Sequence, residues 1–371
     1  MPWPRAKEHG RQGLEARTPL RRPSTIVTPV GVGEGNELDS GSGARTVVAV
    51  LCVIGAILPV GLSLLRFYLG GNGSDFWSLW EAGRNALQGE SIYTSRLIFT
   101  YPPHSLFLFA PFGLAPFEWG LILFNFLGLG FFALAAKPYL PRGFPLILAI
   151  GSPATFFCLL IGQSGLFLAG FWLLAFRGRW WAVAALSFKP HVGLLGILSL
   201  KSWPDVSRTT ILALLLITTS AFVFGPGAWV EFANSLFEQS ARIGVREQWF
   251  VMGVSPAHGY GLWGWLAFAV PAAFLLSTNV TPFTAATAAM LISPYGFHYD
   301  MAVACFGFAI AIYHHWAGMR PFYRALLVGG FLTPVIVNGG TWFAPPILLG
   351  ALWVQVRLNG QNRPPRTCPA S

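Results

Sequence analysis

The sequence predicts an all-α, polytopic integral membrane protein with about 10–13 membrane segments. Three observations lead there. Of the 371 residues, 54% are hydrophobic and only 10% are charged, whereas soluble domains carry about 25% charged residues. Apolar runs of roughly 15 to 24 residues recur to the C-terminus, and about 20 suffice to cross a bilayer. Finally, Arg5, Lys7, Arg11, Arg17, Arg21, Arg22 and Arg45 precede the first run, and Arg357, Arg363 and Arg366 follow the last. Basic clusters placed this way mark cytoplasmic ends attracted to anionic lipid. They account for the net charge of +10 without invoking nucleic acid.

Residues 1–45 are rich in Pro, Gly and Arg without periodicity and read as a disordered cytoplasmic tail. The transmembrane domain spans 46–357, and 358–371 form a second cytoplasmic tail. The apolar block 46–69 is too long for a cleaved signal peptide and begins too far in. With the N-terminus inside, 47–69 crosses outward and 70–100 forms an external loop. In that loop Phe76, Leu79, Trp80, Gly83 and Leu87 recur at helical spacing, with Gly89 as the stop, which predicts a helix lying along the interface. Residues 102–136 carry Pro111 and Pro116 and read as a broken piece plus a crossing. From Lys137 and Arg142, 144–161 goes out, Gly162-Gln163 turns, and 166–176 returns to Arg177 and Arg179. The stretch 180–200 has basic residues at both ends and Lys189-Pro190 in its middle. It is either one span or a hairpin dipping into the membrane, and the proline favours the hairpin. Then 209–224 goes out to a loop at 225–260, 262–277 returns, and 282–292 goes out to 293–300. The segment 301–316 returns to His314, His315, Arg320 and Arg324, and two more spans end at Arg357.

This trace sorts polar residues by side. Basic clusters fall inside, while Asp75, Gln163, His298 and Asp300 fall outside with Lys189 at or below that face. Asp75 opens the interfacial helix, where a carboxylate can take a proton from a hydroxyl while its co-substrate is held in lipid. The same residue could simply cap that helix. Other acids on this side are Glu81, Glu90, Glu231, Glu238, Glu247 and Asp300. A lysine at bilayer depth costs about 2.5–3.5 kcal/mol on insertion scales, so Lys189 calls for a partner or a polar cavity. A phosphate at the head of a lipid tail fits that call, as does snorkelling to the interface. Arg242 and Arg246, near Trp249, are further outside cations. Cys52, Cys158, Cys305 and Cys368 show neither metal-ligand spacing nor a disulfide framework. No nucleotide-binding or zinc signature appears in a supporting context.

The order Asp75-Phe76, Trp80, Ala82, Leu87, Gly89, Tyr93, Tyr101-Pro102-Pro103, Gly162-Gln163, Lys189-Pro190, Ser293-Pro294 and His298 resembles glycosyltransferase family 87 over residues 46–357. That family belongs to the GT-C superfamily of polyprenyl-phosphate-sugar-dependent membrane transferases. The resemblance implies an inverting hexosyltransferase that moves a sugar, by family default mannose, from a polyprenyl phosphate to a glycan or glycolipid acceptor. The reaction would occur on the outer face of the cytoplasmic membrane. Asp75 maps onto the general base. The donor phosphate falls to Lys189, His298, Arg242 and Arg246, and substrate contacts fall to Trp80, Tyr101, Gln163 and Asp300. No metal or cofactor is expected, since Lys and Arg can neutralise the leaving group. The chain departs from the family pattern in Trp80, where tyrosine is common, and in the order His298-Tyr299-Asp300. The alternative class is a transporter or flippase of a lipid-linked saccharide. Such a protein usually shows ionisable groups near the bilayer midplane and paired repeats, and no repeat is visible here.

Overall fold

The computed structural model describes residues 37–68, 75–93, 99–243 and 253–361. Within them the chain is helical, and the one β feature is an isolated antiparallel bridge between Gly253 and Phe297. Among the described residues five helices are long and apolar enough to cross a membrane: Ser42–Leu62, Phe117–Tyr139, Trp203–Phe224, Pro256–Thr278 and Pro321–Gly339. The remaining apolar runs fold as shorter helices packed among these. The first helix, α1 (Glu37–Tyr68), begins inside the stretch expected to be tail; residues 1–36 and 362–371 lie outside the described residues.

Next comes α2 (Phe76–Gln88), the expected interfacial helix, closed by Gly89 in the left-handed region at φ 71°. Its buried face is Phe76, Leu79, Trp80, Ala82, Gly83 and Asn85. Leu87 is exposed and so drops out of the expected stripe. Asn85 replaces it because its amide donates to Ser91 O at 3.2 Å, closing the chain behind the helix. The stretch 102–136 divides at Pro116 into α3 (Leu106–Gly113) and the spanning α4 (Phe117–Ala136), while Pro111 lies within α3 without ending it. Gly83 lets the backbones of α2 and α3 touch, since a Cβ there would lie 2.9 Å from Ala110 Cα.

Then α5 (Leu146–Ile150) and α6 (Pro153–Ile161) rise beside α1. The register is visible in three contacts: Arg45 against Gly143, Cys52 Sγ to Leu148 O at 3.5 Å, and Gly55 against Pro153. From the turn after α6, α7 (Gly165–Phe176) runs back, and Tyr139 OH donates to Leu173 O near its end at 2.9 Å. The 180–200 stretch is a hairpin, as its proline suggests. It comprises α8 (Trp180–Ala185), a 3₁₀ turn over Leu186–Phe188, α9 (Pro190–Gly193) and a further 3₁₀ turn over Leu194–Ser199. A side chain on Gly193 would run into Leu186 O, so the two limbs lie against each other. Lys189 is the apex.

Beyond it run α10 (Trp203–Phe224), α11 (Pro226–Ile243), α12 (Pro256–Thr278) and α13 (Pro282–Ile292). The expected loop at 225–260 is therefore largely a helix. The bundle is completed by α14 (Ala302–His315), α15 (Pro321–Ile336) and α16 (Ala344–Gln361). At 11 and 14 residues α13 and α14 are too short to span alone, yet they form the centre, buried almost all round by Ala, Thr, Phe and Gly. Helices apolar on every face belong inside protein, where non-spanning backbone is tolerated. The threonines of α13 cost little because Thr284 Oγ1 donates to Asn279 O and Thr287 Oγ1 donates to Phe283 O.

These registers give the bundle two unlike ends. Arg45, Arg142 and Tyr313 meet at one, where Arg45 donates to Tyr313 OH and Tyr313 OH donates to Arg142 O, each at 3.4 Å. Because α5–α6 climbs away from Arg142 and α14 descends toward Tyr313, Gln163 and Asp300 belong to the opposite end.

Candidate active site

Five segments from distant parts of the sequence meet at that opposite end: the start of α2, the Tyr101-Pro102-Pro103 turn, the α6–α7 turn, the 293–301 connection and, beneath it, the hairpin apex. Asp75 stands at the start of α2 with its side chain exposed and makes no side-chain capping bond. Its Oδ2 instead accepts from Gln163 Nε2 at 2.7 Å, the short length of a charge-assisted bond.

Gln163 lies in Gly162-Gln163-Ser164-Gly165. Gly162 adopts φ 67° to end α6, and Gln163 N–H returns to Cys158 O at 2.9 Å. Gln163 Oε1 accepts from Ser164 N–H at 3.3 Å and from Tyr101 OH at 3.2 Å. The Tyr101 hydroxyl also pairs with Ser164 Oγ at 2.7 Å. Tyr101 is held from its other side, because its carbonyl accepts from Tyr93 OH at 2.6 Å. Burial, with Glu231 nearby, holds the Tyr93 phenol above its ordinary pKa, so it remains a donor. The ring of Tyr101 stacks on Phe188 (centroids 6.3 Å apart, planes 7° apart) and meets Phe109 edge-on at 5.1 Å.

Beneath this layer Lys189 Nζ donates to Asp300 Oδ1 at 2.6 Å, with side chains 4% and 0% exposed. Asp300 Oδ2 accepts from Phe297 N–H at 3.2 Å. The ammonium also lies 4.7 Å from the Tyr299 ring centroid and 5.6 Å from that of Tyr101, close enough for cation–π attraction. The carbonyl of Tyr299 is lodged in the α6–α7 turn. It accepts from Cys158 Sγ at 3.2 Å, and a side chain on Gly165 would strike it.

The expected site residues thus divide. Asp75, Gln163, Tyr101, Lys189 and Asp300 form one connected cluster. Asp300 is not presented to a substrate: both of its oxygens are taken by protein donors. His298 is buried edge-on against Phe157 at 4.3 Å, beneath the site rather than at its surface. Trp80 is buried too, and its indole N–H donates to Ala115 O at 2.9 Å, tying α2 to the start of α4. Of the residues expected at the donor phosphate, Arg246 lies outside the described residues and Arg242 is described only as backbone of α11. Ser164 and Tyr299 were not anticipated. Tyr299 lay in plain view between two residues that were, and Ser164 adjoins Gln163. Among the described residues no group of three or more His, Cys, Asp or Glu converges.

The profile of glycosyltransferase family 87 matches residues 99–338. That is well over half the chain. The stretch contains Tyr101, Gln163, Lys189 and Asp300, is shorter than the expected 46–357, and begins after Asp75. No curated protein and no solved structure gives a match.

Proposed function

The chain belongs to glycosyltransferase family 87, and from that premise we propose that this membrane glycosyltransferase transfers a hexose from a polyprenyl-phosphate donor to an acceptor hydroxyl, with Asp75 as general base. One observation carries the reading: the carboxylate of Asp75 is exposed, unspent on capping, and gripped by an amide at the end of the bundle away from the arginines. The basic end is cytoplasmic by the charge rule, so the reaction centre faces outward.

In this reading the acceptor O–H gives its proton to Asp75 as its oxygen forms a bond to the anomeric carbon. The bond from that carbon to the phosphate oxygen breaks, polyprenyl phosphate leaves with the electron pair, and the configuration inverts. The phosphate gains negative charge as it leaves, and among the described residues Lys189 is the cation in this cluster. Lys189 is already balanced by Asp300, so the phosphate recruits it by competing with that carboxylate. Mannose is the sugar we assign, and a glycan or glycolipid the acceptor. The transporter alternative finds no support in the family match.

The test is Asp75→Asn in membranes given labelled polyprenyl-phosphate mannose. A positioned carboxylate base contributes about 10²–10⁴ in rate, so transfer should fall by at least about a hundredfold while the protein still inserts and elutes as wild type does. Undiminished transfer in that variant rejects the assignment.

A further inference from the structure

We infer that Gln163 and Tyr101 are positioning residues that orient the Asp75 carboxylate, and are not ligands of either substrate. The inference rests on Asp75 being the base. It follows from how the amide is determined. Ser164 N–H can only donate, and it faces Oε1 of Gln163; an ionised carboxylate can only accept, and it faces Nε2. Rotating the amide by a half turn would set oxygen against oxygen and N–H against N–H. The amide therefore has one orientation, and its donor points at Asp75.

Tyr101 makes that orientation firm. Its hydroxyl sits between Gln163 Oε1 and Ser164 Oγ. The ring cannot swing away, being packed on Phe188 and Phe109 with its carbonyl held by Tyr93. Gln163 is 8% exposed and Tyr101 also 8%, which leaves little of either for a sugar or a phosphate to touch.

Asp75 needs this help because of where it stands. A carboxylate at the first position of a helix has a ready competitor for its oxygens, the backbone N–H groups of the helix's own first turn. Here it makes no such bond; the Gln163 donor draws it outward. Without that donor the carboxylate loses its tie to the α6–α7 turn and can turn toward the N–H of Trp77 in its own helix, away from the acceptor.

The full-length protein in membranes of cells lacking the chromosomal gene, with labelled polyprenyl-phosphate mannose as donor and the membranes' own glycolipids as acceptor, provides the assay. Gln163→Met keeps the length and apolar body of the side chain; Tyr101→Phe keeps all of the ring packing. Misplacing a reacting group by about 1 Å costs on the order of a hundredfold. Gln163→Met should therefore lower the maximal rate by roughly ten- to a hundredfold, with the apparent donor KM within about twofold of wild type. Tyr101→Phe should cost less, and the double variant should be no slower than Gln163→Met alone, because Tyr101 acts through Gln163. A donor KM raised about tenfold at an unchanged maximal rate would make these residues substrate ligands. Losses that multiply in the double variant would also overturn the inference. If Asp75→Asn is inactive and Gln163→Met is as fast as wild type, this inference fails and the base assignment stands; if Asp75→Asn stays active, the base assignment itself fails. Apparent melting of the detergent-solubilised chain gives a reading independent of activity: Asp75→Asn and Gln163→Met should combine to no more than the larger single shift, and fully additive shifts would mean that the two side chains are not bonded.

Discussion

Breaking the Lys189–Asp300 pair one side at a time should destabilise the protein more than removing both charges. The groups are 2.6 Å apart and 4% and 0% exposed. At that separation, with an effective dielectric of about 20, their mutual attraction is about 6 kcal/mol. Most of this offsets the loss of hydration suffered by each ion, so the net worth of the intact pair is small. A single deletion is different, because it leaves one buried charge with nothing to balance it. Among the described residues, Asp300→Asn leaves the ammonium to the Tyr299 and Tyr101 rings, and Lys189→Met leaves the carboxylate to Phe297 N–H. Each should cost about 3–5 kcal/mol, whereas Lys189→Met with Asp300→Asn leaves two neutral groups of nearly the same size. Apparent melting temperatures of the detergent-solubilised chain, followed by loss of the monodisperse elution peak, would rank the four proteins. The expected order is wild type highest, the double variant next, and both singles lowest. A double variant melting below both singles would mean that the charges contribute independently, and the buried-pair argument would be wrong.

Two further outcomes follow from geometry alone. Gly165→Ala places a methyl group against Tyr299 O and Cys158 Sγ, so it should lower stability by about 1–3 kcal/mol and slow transfer; Gly130→Ala, with nothing within 4 Å of the added carbon, should do neither, and equal melting of the two variants would refute the close-approach argument. Single cysteines at Glu90 and Arg320, both exposed, should label oppositely with an impermeant maleimide, Glu90→Cys in intact cells and Arg320→Cys only after permeabilisation. Labelling of both from one side would overturn the two-ended bundle, and the reverse pattern would turn the site toward the cytoplasm.

Periodicity, turn residues and charge carry a good deal of this fold. The Gly89 stop, the break at Pro116, the bounds 282–292 and the Lys189-Pro190 hairpin all stand in the structure where the sequence places them, because each depends on local chemistry of Gly or Pro. The misses share another character. Residues 226–243 fold as α11 because that stretch docks on neighbours: Ser91 Oγ donates to Glu231, and His104 stacks on Trp229. Asn85 displaces Leu87 from the buried face for the sake of one carbonyl. Trp80, expected as a substrate contact, is committed to Ala115 O. Most telling is the site itself. Lys189 and Asp300 are 111 residues apart in sequence, Gln163 and Asp75 are 88 apart, and no local pattern says which cation will find which carboxylate. The sequence sorts these groups to one end of the bundle; only packing pairs them.

That pairing separates two of the acids on this side, Asp75 and Asp300, as candidates for the base of the proposed reaction. A general base must come within hydrogen-bond reach of the proton it removes. Asp300 is enclosed, and each of its oxygens already has a donor, so an acceptor hydroxyl could reach it only by breaking the buried pair. Asp75 lies at the exposed end of the same cluster, where the proposed reaction brings the acceptor hydroxyl to it. The connection between them runs through Tyr101, whose hydroxyl serves Gln163 and whose ring face lies toward Lys189. Two carboxylates at one end of a bundle thus have unlike surroundings, which is how enzymes generally set acid–base roles apart. The upper one is exposed, and in the proposed reaction it takes up a proton. The lower one holds a cation in reserve beneath the place where, in the proposed reaction, a phosphate departs with added charge. When that phosphate draws on Lys189, Asp300 still keeps Phe297 N–H, so the carboxylate is never left without a donor and the pair can close again once the product has gone.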